Sequence, residues 1–273
     1  MKDIAFPFTI RKSLFLRTEL DRLLTSSMCF SCMLVFVRVF HTGRPMFIFM
    51  IWNLFLAYIP YALSTWLTAR YGPGPDDSSS PLSAQRRGSR PGRSPRPFLI
   101  QLIWSRRPMA LISRTLGPRL LLVGLSVVWL LFIPNAFYML TDLYHLNDGS
   151  GHGRVPEWFD LALILSFAFN GLLLGVLSVR HMEKLFLPNA TVIGSWLFLY
   201  PIMVLNALGV YTGRYLRYNS WDIISDPWQL LRDMISMVVH PLRNHPVWSM
   251  VLCFSILLML IYRLLQRGSK ALA

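Results

Sequence analysis

The chain has 273 residues, 54% of them hydrophobic and only 15% charged, with a mean hydropathy of +0.45. A soluble domain of this length exposes too much surface to carry that apolar load, so the composition excludes an ordinary water-soluble fold and points to the lipid bilayer as partner. The net charge of +14 would suit nucleic acid, but the basic residues flank apolar runs or gather in one linker, so no nucleic-acid partner is expected and anionic headgroups fit them better.

Residues 1–22 are polar and basic, with Arg11, Lys12, Arg17 and Arg22, and read as a cytoplasmic N-terminal segment. The first apolar run, Leu23 to Phe40, is too long for the core of a signal peptide, carries Arg38 and has no small-residue cleavage site after it; it reads as the first span. Cys29 and Cys32 within it read as small residues on a membrane helix, because no second pair completes a metal site, and together with Cys253 they imply no disulfide framework. The second span is Met46 to Thr68, which makes 23–68 a two-span unit. Residues 69–97 concentrate proline, glycine, serine and arginine, cannot bury a core and are predicted to be a disordered cytoplasmic linker. Residues 98–118, with Trp104, Arg106, Arg107 and Arg114, are predicted to lie on the membrane surface as a basic interfacial segment facing anionic lipid. Residues 119–265 hold the remaining spans, at Arg119–Leu140, Trp158–Val179, Thr191–Tyr211 and Val247–Leu265, with loops at 141–157 and 212–246. The longer loop includes a semi-apolar stretch, Pro227 to Val239, placed at the interface, and 266–273 is the tail.

The fold class is therefore all-α: a polytopic transmembrane helical bundle of about six spans. Charge orients it. With the N-terminus inside, twenty of the 27 basic residues fall on the cytoplasmic side and seven on the other, so the positive-inside rule gives an N-in/C-in, multi-pass protein of a plasma membrane.

Polar residues inside apolar runs cost free energy unless they face protein or water, so each is a candidate. Asn53, Asn135 and Asn206 fall in the outer halves of their spans and Asn170 near the middle of the fourth. Each suits either a helix–helix hydrogen bond or the lining of a polar path. Two segments are denser. In Pro134 to Gly149, Pro134 is expected to kink or break the third span, and Asp142 and His145 stand three residues apart, able to share a proton or a metal ion on one helical face. Asp160 follows on the same side. No second fixed-spacing ligand pair exists, so no metal site is assigned and no cofactor is named. In Gly209 to Asp222, Arg214 and Arg217 can face one way beneath Tyr211, Tyr215, Tyr218 and Trp221, a setting for a phosphate or carboxylate. The same arginines could equally tie spans together through Asp142, Asp160 or Asp222. Gly171 and Gly175 stand four apart in the fourth span, a spacing that permits close helix packing.

The run of WNLFLAYIP, PNAFYMLTDLYHL, WFDLALILSFAFNGLLLG and GVYTGRYLRYNSWD, in that order, resembles the bacterial membrane-protein family catalogued as domain of unknown function thirteen sixty-one. The resemblance is expected to span Phe30 to Leu264, with the Arg70–Pro97 linker as an insertion. It implies a bacterial inner-membrane protein and marks Asn135, Asp142, His145, Asp160, Asn170, Arg214, Asn219 and Asp222 as positions to test, without assigning them roles.

Three functions fit these residues. The first is a binding or catalytic site for a lipid headgroup or other anion at the outer face, with Asp142, His145 and Asp160 as acid–base groups and Arg214, Arg217, Asn219 and Asp222 contacting the substrate. The second is a small transporter or channel whose path is lined by Asn53, Asn135, Asn170 and Asn206. The third is a non-catalytic membrane assembly protein.

Overall fold

A computed structural model of the chain describes residues 19–72, 112–147, 155–189, 191–218, 225–240 and 243–271. Within them lie seven α-helices: α1 (Glu19–Thr42), α2 (Ile48–Tyr71), α3 (Ile112–Tyr138), α4 (Glu157–Phe186), α5 (Val192–Arg214), α6 (Pro227–Val239) and α7 (His245–Ala271). Six of them, all but α6, are long and apolar enough to cross a membrane. The protein is a polytopic transmembrane helical bundle, and the fold class read from composition and hydropathy holds.

The helices exceed the apolar runs because hydropathy marks where lipid begins and hydrogen bonding marks where a helix ends. α3 begins at Ile112, so 112–118 belong to a membrane helix; the rest of the expected interfacial segment, and the linker from residue 73, lie outside the described residues. Pro134 does not end α3. The helix continues to Tyr138 and then tightens into a 3-10 helix, Met139–Asn147, that extends the span into the expected loop. α4 likewise runs past Val179 to Phe186, so Arg180, Glu183 and Lys184 belong to the helix.

α4 is the axis of the bundle. More than half of its apolar stretch, 61%, is buried, against 28–39% for the other spans. α2 packs against both α3 and α4, α5 packs against α3 and α7, and α1 lies chiefly on α4. Small residues set these approaches. At Gly171 a Cβ would stand 2.6 Å from the Ala136 carbonyl oxygen and 2.8 Å from the Met139 side chain; at Gly175 it would meet the Phe137 ring at 2.9 Å. The glycine pair thus seats α4 against α3. At Gly209 a Cβ would reach the Pro134 ring at 2.6 Å, so Pro134 serves as a packing surface for α5. Because the obstacle at Gly171 is backbone, Gly171→Ala should destabilise the purified protein by about 1–3 kcal/mol. Gly124→Ala, with open space around its position, should be neutral or slightly stabilising in the same thermal unfolding assay.

The short α6 starts at an Asp226 cap, whose Oδ1 accepts from the Gln229 amide at 3.2 Å, with Pro227 in its first turn. Met234 and Met237 face Ala207, Leu208, Val247 and Val251 at the ends of α5 and α7, and the Trp248 indole donates to the Met237 carbonyl at 3.0 Å. Trp228, Leu231, Ile235 and Val239 form an exposed stripe on the helix. The Tyr218 hydroxyl donates to Asp233 Oδ2 at 2.7 Å, linking the segment after α5 to α6, and this bond holds the phenol above its ordinary range.

Candidate functional site

The helices alternate, so two sets of ends are brought together. At the first, hereafter the His145 end, α2, the 3-10 helix and α5 converge. A 3-10 helix has three residues per turn, so Asp142 and His145 eclipse one another on a single face. The Asp142 side chain is fully buried. Asn53 Nδ2 donates to its Oδ2 at 3.4 Å, and Arg214 Nη1 lies 3.7 Å from Oδ1, an ion pair without a hydrogen bond. Oδ1 accepts no hydrogen bond from any described residue. The same Arg214 Nη1 stands 3.1 Å from His145 Nε2. A guanidinium has no acceptor, so Nη1 can only act as the donor in this contact. The guanidinium lies 5.4 Å from the Tyr144 ring centroid, and the His145 ring meets Phe49 edge-on at 5.2 Å. Asp142, His145, Asn53 and Arg214, singled out from three separate sequence segments, therefore form one contiguous group.

Asp160 belongs to a neighbouring pair. Arg38 of α1 holds it bidentately, Nε to Oδ1 at 2.6 Å and Nη2 to Oδ2 at 2.9 Å. The Arg38 side chain is 1% exposed. Its guanidinium lies 4.6 Å over the Phe47 ring, and Phe47 itself adopts φ +66°, a left-handed conformation that a phenylalanine rarely accepts, directly before α2. Residue type and position make Asp160 a candidate acid–base group, whereas its carboxylate is committed to Arg38. In the sequence Arg38 stands out only as a charge within the first run; a lone arginine in an apolar span is itself a signal that a partner waits elsewhere.

The remaining asparagines are placed differently. Asn170 is fully buried and its Nδ2 reaches Ser31 Oγ at 2.9 Å and the Ser27 carbonyl at 3.3 Å, stitching α4 to α1. Asn206 Nδ2 donates within its own helix to the Ile202 carbonyl at 2.8 Å. Asn135 Nδ2 does likewise to Phe132 at 3.1 Å. Arg217 is exposed, with φ +60°. Asn219 and Asp222 lie outside the described residues.

The opposite end carries a second ionic group that hydropathy does not reveal. Glu183, 7% exposed, accepts from the Ser195 and Tyr262 hydroxyls and from Gln266 Nε2 at 3.2 Å. Arg263 Nη2 donates to Ser195 Oγ at 3.2 Å and Nη1 to Gln266 Oε1 at 2.9 Å, while its guanidinium lies 5.0 Å from the Trp196 ring. This network ties α4, α5 and α7 together. A fourth span ending at Val179 leaves Glu183 in a loop, where an acid is unremarkable and draws no notice. Among the described residues, no group of three or more His, Cys, Asp or Glu side chains is placed to hold a metal ion.

Six apolar helices with buried ion pairs near one end and a buried carboxylate network near the other define an integral, multi-pass membrane protein. Residues 97–261 match the family described as a protein of unknown function, DUF1361, and the chain belongs to that family. The match is narrower than the resemblance suggested. It takes in the 3-10 helix, α4 and α5, and so Asp142, His145, Asp160 and Arg214, but leaves α1 and α2, with Arg38 and Asn53, outside. No curated protein and no solved structure matches the chain.

Proposed function

We propose that the protein binds an anionic group, the phosphate or carboxylate of a lipid headgroup or a free anion, at the His145 end of its bundle. The observation that supports this most is the state of Arg214. Its polar contacts among the described residues all use Nη1, held by His145 and Asp142, which leaves Nε and Nη2 as a free fork beside the exposed Tyr144. A guanidinium fixed on one side and open on the other is suited to a two-oxygen anion. Arg44, in the connection before α2, and Arg217, just after α5, are exposed and add positive charge to the same end of the bundle. In this reading Asp142 and His145 position Arg214, and Asn53 steadies Asp142. The bundle is oriented N-in/C-in in a bacterial plasma membrane, so the site meets the outer leaflet, and the basic cytoplasmic segments rest on anionic lipid.

The test is binding of short-chain phosphatidylglycerol, phosphatidylcholine and inorganic phosphate to the purified chain in non-ionic detergent. Phosphatidylglycerol should bind in preference to phosphatidylcholine, and Arg214→Ala should weaken it at least about tenfold, near 1.4 kcal/mol. Inorganic phosphate competing with the lipid would identify the phosphoryl group as the recognised part. Equal binding of both lipids, or undiminished binding by Arg214→Ala, would refute the site. A C-terminal reporter found on the outer face of intact cells would refute the orientation.

A further inference from the structure

The short helix α6 has three faces. At about 100° of rotation per residue, Trp228, Leu231, Ile235 and Val239 fall within an arc of roughly 80°. All four are exposed. Gln229, Arg232 and Ser236, exposed as well, fill the adjoining arc. Asp233, which accepts from the Tyr218 hydroxyl, follows them. Met234 and Met237 make the third face, in the cluster with Ala207, Leu208, Val247 and Val251. That cluster fixes the level of the helix. It lies in the last two turns of α5 and the first two of α7, within about 10 Å of the helix ends. α5 is about 35 Å long, only a little more than the roughly 30 Å hydrocarbon core it crosses. α6 is therefore held where headgroups give way to acyl chains, and at about 20 Å it is too short to cross.

We propose that the exposed stripe of α6 docks into the membrane itself, with the acyl chains of the leaflet at the His145 end as its occupant. Continuity supports lipid over a protein partner. Past Val251, α7 exposes Leu252 and Ile256, and α5 exposes Leu205; those side chains face lipid because both helices cross the bilayer. The stripe prolongs that apolar surface at the same end. Charge agrees. Arg232 beside the stripe and Arg243 beyond the helix are exposed, and basic side chains flanking an apolar face suit a layer of phosphate headgroups. Trp228 has the ring type that settles at this boundary. Composition places Pro227–Val239 at the interface without saying which side chains enter it. The three faces assign Trp228, Leu231, Ile235 and Val239 to lipid, Gln229, Arg232 and Ser236 to headgroups and water, and Met234 and Met237 to the bundle. The stripe shares no residue with the Arg214 group, so the two proposals stand or fall separately.

The experiment is nitroxide labelling of the full chain in vesicles of phosphatidylcholine and phosphatidylglycerol, with Cys29→Ser, Cys32→Ser and Cys253→Ser as the background. Labels are placed singly by Leu231→Cys, Ile235→Cys, Gln229→Cys and Ser236→Cys, and their collisions with oxygen and with a water-soluble nickel chelate are measured. The oxygen-to-nickel ratio should be several-fold higher at Leu231→Cys and Ile235→Cys than at Gln229→Cys and Ser236→Cys. Equal ratios at all four positions would put the stripe in water and overturn the proposal. Stripe labels shielded from both reagents would mean a protein cover, a second copy or another segment of this chain, and overturn it too. Should the serine background fail to fold, the parent chain and Trp228→Phe decide. The fluorescence lost in Trp228→Phe should be quenched by phosphatidylcholine brominated on its acyl chains and spared by aqueous iodide; quenching by iodide instead overturns the proposal.

Discussion

Asp160→Asn is expected to destabilise the protein by about 3–5 kcal/mol, the range found when one member of a buried ion pair is removed. The reason is Arg38. Its side chain is 1% exposed, and its guanidinium gives both Nε and Nη2 to the Asp160 carboxylate. An asparagine of the same shape cannot accept both bonds and cannot neutralise the charge, which then stays buried beside Phe47. Most of the loss therefore comes from the stranded arginine. Arg38→Met combined with Asp160→Leu should recover much of the stability, since replacing both charges with apolar groups is often neutral or favourable. Thermal unfolding of Asp160→Asn, of Arg38→Met and Asp160→Leu singly, and of the double variant in detergent checks this. A double variant whose loss equals the sum of the single losses would show that the two side chains do not act as a pair.

Glu183→Ala is expected to cost a similar amount, about 3–5 kcal/mol, because it leaves several donors without an acceptor at once. The Ser195 and Tyr262 hydroxyls and the Gln266 amide all converge on that carboxylate, and Arg263 is held through Ser195 and Gln266. Glu183→Gln keeps one acceptor oxygen and should cost less than half as much. The damage should be local as well as global: α7 loses its polar attachment to α4, so limited proteolysis between α6 and α7 should accelerate in Glu183→Ala before the rest of the bundle opens. Equal stability of Glu183→Ala and the parent would show that the network contributes nothing to holding α7.

How much of this is legible in the chain depends on the scale of the signal. The six spans are readable because a helix of about twenty consecutive apolar residues is what the hydrocarbon thickness of a bilayer demands, and water-soluble cores seldom need one. Their ends are not. Hydropathy stops the fourth span at Val179, yet backbone hydrogen bonding carries the helix to Phe186 and takes Glu183 with it. Asp142, His145 and Arg214 are marked by residue type and spacing, and the 3-10 geometry makes the three-residue spacing coincide on one face. Their linkage through Arg214 Nη1 depends on the packing of α5 against α3, and no local pattern encodes that. The pairing of Asp160 with Arg38 bridges 122 residues and is likewise invisible along the chain. Asn170 illustrates the opposite case: its position in mid-span marks it, but only the proximity of Ser27 and Ser31 shows that its amide joins two helices.

The distance along the chain between Arg38 and Asp160 also bears on how the protein is made. α1 enters the membrane carrying a guanidinium whose partner has not yet been synthesised. At translation rates of about 5–20 residues per second, that partner follows roughly 6–24 s later. Until then the arginine can avoid hydrocarbon only by staying at the water boundary or within the insertion machinery. The final seating of α1 is thus expected to wait for α4, which carries its partner charge.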